Sequence, residues 1–201
     1  MRKMLLIATA ALLLIAAAPR KDWKDVEAAI GRAGSVQPGG VYKVSFPRAD
    51  LTVTADGVAI KPALALGSWA AFKDAGNGQA MAMGDLVLLE SEITPVIDAL
   101  QKGGIEQSAL HNHLSGESPH VMYLHFSGHG DAAKLARTLH DALALTKTPI
   151  GPAPAPPANP TIDLPTAALD RILEVNGKIA GGTYQFAVPR AEKITEHGME
   201  I

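Results

Sequence analysis

Polar and apolar positions take up recognisable periods from residue 23 onward, after an apolar run from Met4 to Ala18. Trp23, Val26, Ile30 and Ala33 fall on one helical face, with Gly34 as a stop, which predicts a first helix. Residues 41–47 and 51–60 alternate as strands do, and Ala55-Asp56-Gly57 supplies an Asp-Gly hairpin turn. Residues 63–72 and 81–89 read as two further strands joined by Gly76-Asn77-Gly78. Ile93, Val96, Ile97 and Leu100 then follow helical spacing, with Ser91 or Thr94 as N-cap, Pro95 in the first turn and Gly103-Gly104 as the stop. Strands over 105–114 and 120–128 come next, joined by 115–119. Asp131 caps a last helix carrying Leu135, Leu139, Ala142 and Leu143 on one stripe. The order strand, helix, strand, strand, helix predicts an α+β class: a largely antiparallel sheet with helices on one face.

Self-comparison adds an organisation that periodicity alone does not show. Ile30 to Asp50 aligns with Ile172 to Glu192 at an offset of 142 residues, through Gly39-Gly40-Val41-Tyr42 against Gly181-Gly182-Thr183-Tyr184 and Pro47-Arg48-Ala49-Asp50 against Pro189-Arg190-Ala191-Glu192. Such self-similarity predicts a tandem-repeat unit with an incomplete second copy, because nothing later in the chain corresponds to residues 63–145. Arg48 and Arg190 are expected to hold a corner through hydrogen bonds. Between the copies, Thr148 to Pro160 holds six of the 14 prolines and predicts an extended spacer. The expected boundaries are a leader over 1–18, a complete unit over 22–146, a linker over 147–162 and a partial unit over 163–201.

The N-terminus bears on compartment. Arg2-Lys3 before a short apolar run ending in Ala16-Ala17-Ala18 has the form of a secretory signal peptide, too short for a comfortable membrane span. The expectation is a secreted or periplasmic protein with no stable span after cleavage. With no cysteine, the chain has neither a disulfide nor a thiol nucleophile. A net charge of -2 and the lack of a basic stripe argue against a nucleic-acid partner.

The chemistry concentrates in one stretch. Five of seven histidines lie between His111 and His129. Imidazole is the commonest metal ligand, and His111 and His113 in one strand would project to one face about 7 Å apart. What joins them depends on turn parity. If Leu114 pairs with Pro119, His113 faces His120 and His111 faces Met122. A turn one residue different brings His125 and Tyr123 onto the face of His111 and His113, with His129 and Asp131 near the sheet end. The second arrangement is preferred, giving a divalent-metal set of His111, His113, His125 and His129 for zinc or copper, with Glu117 and Asp131 as candidate proton acceptors. Without a metal the same groups suit a small polar ligand.

Other motifs fall away. His111-Asn112-His113 is not a nuclease ββα motif, Gly67-Ser68-Trp69-Ala70 lacks the glycines of a nucleophile elbow, and no phosphate-binding glycine loop occurs. Met81, Met83 and Met122 fit core filling better than copper ligation.

Phe46-Pro47-Arg48-Ala49-Asp50-Leu51, the run Ala63 to Phe72, Met83-Gly84-Asp85-Leu86-Val87-Leu88, Ala109-Leu110-His111-Asn112-His113-Leu114 and Gly128-His129-Gly130-Asp131 together resemble the LppY/LpqO family. These are exported bacterial proteins containing a domain of unknown function. The resemblance covers essentially everything after the leader. It implies export and two full copies of the unit, so this chain reads as truncated in its second repeat. Some members carry a peptidoglycan-binding label. His120 departs from the family's pattern, which implies that it is not a ligand.

The expectation is therefore an exported protein that binds a divalent metal or small polar ligand through a histidine-rich β-hairpin. A metal-assisted hydrolase and a cell-wall binding module are the alternatives. An unpartnered second unit would favour self-association.

Overall fold

The computed structural model describes residues 22–153, 161–196 and 198–200. The leader read from residues 1–18 lies outside them, as do most of the linker prolines and His197.

Helix α1, Lys24–Ile30, buries Val26, Ala29 and Ile30 and stops at Gly31, whose φ of 81° suits glycine. That is three residues before the expected stop at Gly34. Arg32 has by then left the helix to donate to the carbonyls of Ser45, Pro149 and Gly151. Strands β1, Ser35–Val36, and β2, Tyr42–Pro47, follow. β3, Val53–Ala55, and β4, Val58–Ile60, form the expected hairpin around Asp56 and Gly57, which take φ of 48° and 78°. The expected strand from residue 63 gives way to a helical turn, α2, Pro62–Ala65, because Pro62 is preset for the first helical position. β5, Gly67–Gly76, and β6, Gln79–Leu89, then make a long hairpin about Asn77-Gly78.

Helix α3, Glu90–Lys102, starts before either expected cap: the Leu89 amide donates to Glu92 Oε2 at 2.9 Å, and Pro95 lies inside the helix. β7, Glu106–His111, β8, Glu117–Ser118, and β9, Val121–Asp131, lead into α4, Ala132–Leu143.

Six strands form one sheet in the order β1-β2-β5-β6-β9-β7, antiparallel at each pairing. Alternation divides its residues between two faces. One face, with Phe46, Phe72, Leu86, Leu124 and Phe126, packs against α1, α3 and α4 in the main core. Gly84 is required there: a Cβ would meet the Trp69 carbonyl at 2.2 Å and the Phe126 ring at 2.5 Å. The class is thus α+β with an antiparallel sheet and these helices on one face, as expected. Among the described residues the opposite face is covered at one end, by a second sheet ordered β4-β3-β8, where Val53, Leu66, Val87, Val121 and Tyr123 cluster.

Arg48 fastens the corner between these layers. Its guanidinium, fully buried, donates to Asp50, to Glu92 and to the Val87 carbonyl. Burial works against its charge, but the hydrogen bonds to Asp50 and Glu92 outweigh that and raise its pKa.

The start of the proline-rich segment packs on the domain: Thr148 is buried, Ile150 touches the main core and Arg32 holds two of its carbonyls. Beyond it come helix α5, Thr166–Leu173, and the hairpin of β10, Lys178–Ala180, with β11, Thr183–Gln185; the hairpin lies beside α2, where Lys61 Nζ donates to the Gly182 carbonyl at 3.0 Å. Among the described residues no helix is long and apolar enough to cross a membrane.

Candidate metal centre

The parity left open by the sequence is decided by one residue. Glu106 and Gln107 on β7 pair with Ser127 and Phe126, whereas Ala109, Leu110 and His111 pair with His125, Leu124 and Tyr123. The register shifts between Gln107 and Ala109, so Ser108 is the extra residue of a β-bulge. Continued without the shift, the first register would set His111 opposite Met122, on the helix-covered face. The bulge instead turns His111 onto the face of Tyr123 and His125.

His113 reaches the same place by a different route. β7 ends at His111, and the connection to β9 is a loop whose middle, β8, pairs with β3 through Thr54 with Ser118 and Ala55 with Glu117. The expected simple hairpin is therefore a loop pinned to the second sheet. His113 folds back over Tyr123, ring centroids 4.0 Å apart and 19° from parallel. His111 and His113 bring their Nε2 atoms to 2.8 Å, far closer than two residues of a straight strand. His125 meets His111 edge-on at 4.6 Å between centroids.

Ligand atoms of His111, His113 and His125 all lie within 4.8 Å of one another. Tetrahedral coordination at imidazole–zinc lengths sets nitrogens about 3.3 Å apart, a spacing that small ring rotations reach from here. The His125 side chain is 44% exposed, so the cluster opens to solvent on one side.

Beneath the imidazoles the site is anionic. Asp85 lies directly across from His125 on β6, is 9% exposed and places Oδ2 3.6 Å from His125 Nε2, while its Oδ1 is buried with no hydrogen-bond partner. Tyr123 donates to the Ala65 carbonyl at 2.6 Å. Burial, then the Asp85 and Glu117 carboxylates, push its phenol up to about 12.

The other candidates have different tasks. The Glu117 side chain is buried. It accepts from the Val121 amide and sits 2.8 Å from His120 Nδ1. Burial alone would raise its pKa, but backbone hydrogen bonds at Glu117 and Val121, with the His120 charge, lower it. It braces the loop instead of facing the cluster's open side. His120 is that brace's partner and lies outside the triad. His129 is four residues beyond His125 on β9, roughly 13 Å along the strand, and is not drawn into the cluster. Asp131 accepts from the Lys134 amide at 2.8 Å and caps α4. The Gly128 to Asp131 corner, attractive as a flexible ligand source, is ordinary strand running into a helix start.

Asp85 was missed in the sequence. Its one signal was a carboxylate within the apolar run Met81 to Leu89, and no short-range pattern pairs it with His125.

An α+β domain with three convergent imidazoles on the half-open face of its sheet defines the class of this molecule. The chain belongs to the family described as Domain of Unknown Function (DUF1259), whose model matches residues 24–145. That span holds the whole histidine domain and ends beside α4. No curated protein and no solved structure matches the chain.

Proposed function

We propose that the chain binds one divalent metal ion, zinc or copper, through His111, His113 and His125. The observation that carries this reading is the convergence of three imidazoles from a bulged strand end, a pinned loop and a neighbouring strand, with ligand atoms all within 4.8 Å. Three protein ligands and an open side match sites where a fourth position is left for water or substrate. Asp85 supplies the compensating charge behind His125.

The test is metal analysis of the chain purified without a histidine tag, loaded with zinc and dialysed. About one equivalent is expected, with His111→Ala/His113→Ala empty and His129→Ala unchanged. Equal content in wild type and the double variant would remove the triad from the role.

The reading includes export, supported by Arg2-Lys3 and the apolar run to Ala18, and membership of the LppY/LpqO branch, supported by the motifs quoted above. Expression in a bacterial host should then yield a periplasmic chain lacking its first 18 or so residues, measured by intact mass. A full-length cytoplasmic product would contradict it.

A further inference from the structure

A cavity of about 230 Å³ opens beside His125 on the same face of the sheet, lined by Trp69, Met83, Ser108, His125 and Ser127 among others. Its composition is selective. The indole of Trp69 and the thioether of Met83 offer a flat apolar wall. Ser127 on β9 and Ser108, at the bulge itself, add polar hydroxyl-bearing residues to the lining. Ser108 therefore has two consequences: as the extra residue it sets the face of His111, and its side chain borders the adjoining cavity.

Charge narrows the occupant further. Three neutral imidazoles and a divalent ion carry two positive charges, and the buried Asp85 carboxylate beside His125 removes one. One positive charge is left in a partly buried place, which a single negative charge neutralises. A second cation stands nearby, since Lys43 Nζ lies 4.5 Å from the centroid of the Trp69 ring.

We propose that this cavity is the ligand pocket of the metal centre and takes a small monoanion with a flat apolar body, of the aromatic carboxylate class. The carboxylate faces the ion at the open side of His125 and the ring lies against Trp69 and Met83. The inference rests on the metal reading above, since without the ion the buried Asp85 leaves the site repelling anions. Size agrees, because the cavity accommodates a single substituted ring and not an oligomer.

The test is calorimetric titration of sodium benzoate into the full chain, zinc-loaded and zinc-free, after zinc uptake itself has been measured. Benzamide serves as the neutral isostere. Expected are saturable benzoate binding at one site in the zinc-loaded chain, at least ten-fold weaker benzamide binding, and no benzoate binding without zinc. Trp69→Ala, on a chain still holding zinc, should weaken benzoate about ten-fold. Zinc uptake without benzoate binding, equal binding of benzamide, or benzoate binding indifferent to zinc would overturn the pocket assignment while leaving the metal site standing. Failure to take up either zinc or copper would overturn both.

Discussion

The two faces of the six-stranded sheet are built from alternate residues of the same strands and do opposite work. On β9, Leu124 and Phe126 point into the helix-covered core and are 0% and 2% exposed, while Tyr123, His125 and Ser127 point the other way, where cover thins along the strand. Burial on the first face is deepest at its centre, at Leu124 and Phe126, and on the second it falls off from Tyr123 to His125, since the β4-β3-β8 sheet stops short of His125. A face sealed throughout has no place for a ligand; one left wholly open cannot hold three rings in position. The histidines sit at the transition, steadied from below by Tyr123 and open above.

The contrast can be broken from either side. The largest stability effect belongs to the sealed face: Phe126→Ala should cost about 3–5 kcal/mol in urea unfolding, through lost burial and a cavity the sheet cannot close. His125→Ala, one position away on the half-exposed face, should leave the unfolding midpoint nearly unchanged and abolish zinc retention. Similar midpoints for both variants would mean that the faces do not differ as described.

Deleting Ser108 tests the boundary between faces. With the extra residue removed, Ala109 follows Gln107 directly and stays opposite His125, so His111 stays opposite Tyr123 and zinc retention should survive with the far-ultraviolet circular dichroism unchanged. Loss of zinc binding would show that Ser108 is not the extra residue of the ladder.

Asp85→Asn is a smaller change, keeping shape and removing one charge. It should weaken zinc binding about 10–100-fold, the range typical when an outer partner of a ligating histidine is lost. Binding of undiminished strength would leave Asp85 without this role.

The Glu117 brace gives a pH effect. Its folded pKa is lowered, so it stabilises the fold fully above the usual carboxylate range and loses that stabilisation as pH falls through the folded value. Wild type should exceed Glu117→Gln in urea midpoint at pH 7, with the gap closing once the pH drops below about 4. A gap that widens with acid would reverse the sign.

The smallest effect is expected at Arg190, in the second of the two Pro-Arg strings. Arg190 reaches Glu192 two residues on, as Arg48 reaches Asp50, but the Arg190 side chain is 69% exposed and, among the described residues, has no counterpart of Glu92. Nearby Val188 and Ile172 are 74% and 71% exposed, where Phe46 and Ile30, at the aligned positions, are fully buried. Local residues set the same local bond in both strings, and only a surrounding sheet buries one of them. Arg190→Ala should leave the unfolding midpoint where it was, whereas Arg48→Ala, which strands Asp50 and Glu92, should cost about 3–5 kcal/mol.

Much of this was legible in the chain because it depends on period. The α3 and α4 stripes, the Asn77-Gly78 turn, the alternation of β2 and β9 and the Asp131 cap are local signals, and the elements formed where they pointed. The triad was legible only as one of two parities, since a bulge has no mark in residue type: Ser108 resembles any polar strand residue. The second sheet was harder to foresee, because β8 is two residues pairing with a strand more than sixty positions away. For the same reason Asp85 behind His125, and Glu92 behind Arg48, are contacts of topology and not of spacing.

The most direct measurement is X-ray absorption at the zinc edge of the loaded full-length chain. Three imidazole nitrogens at about 2.0–2.1 Å, with one further light-atom ligand, are predicted. A shell with one imidazole or none, or one unchanged in His111→Ala/His113→Ala, would contradict the three-histidine centre.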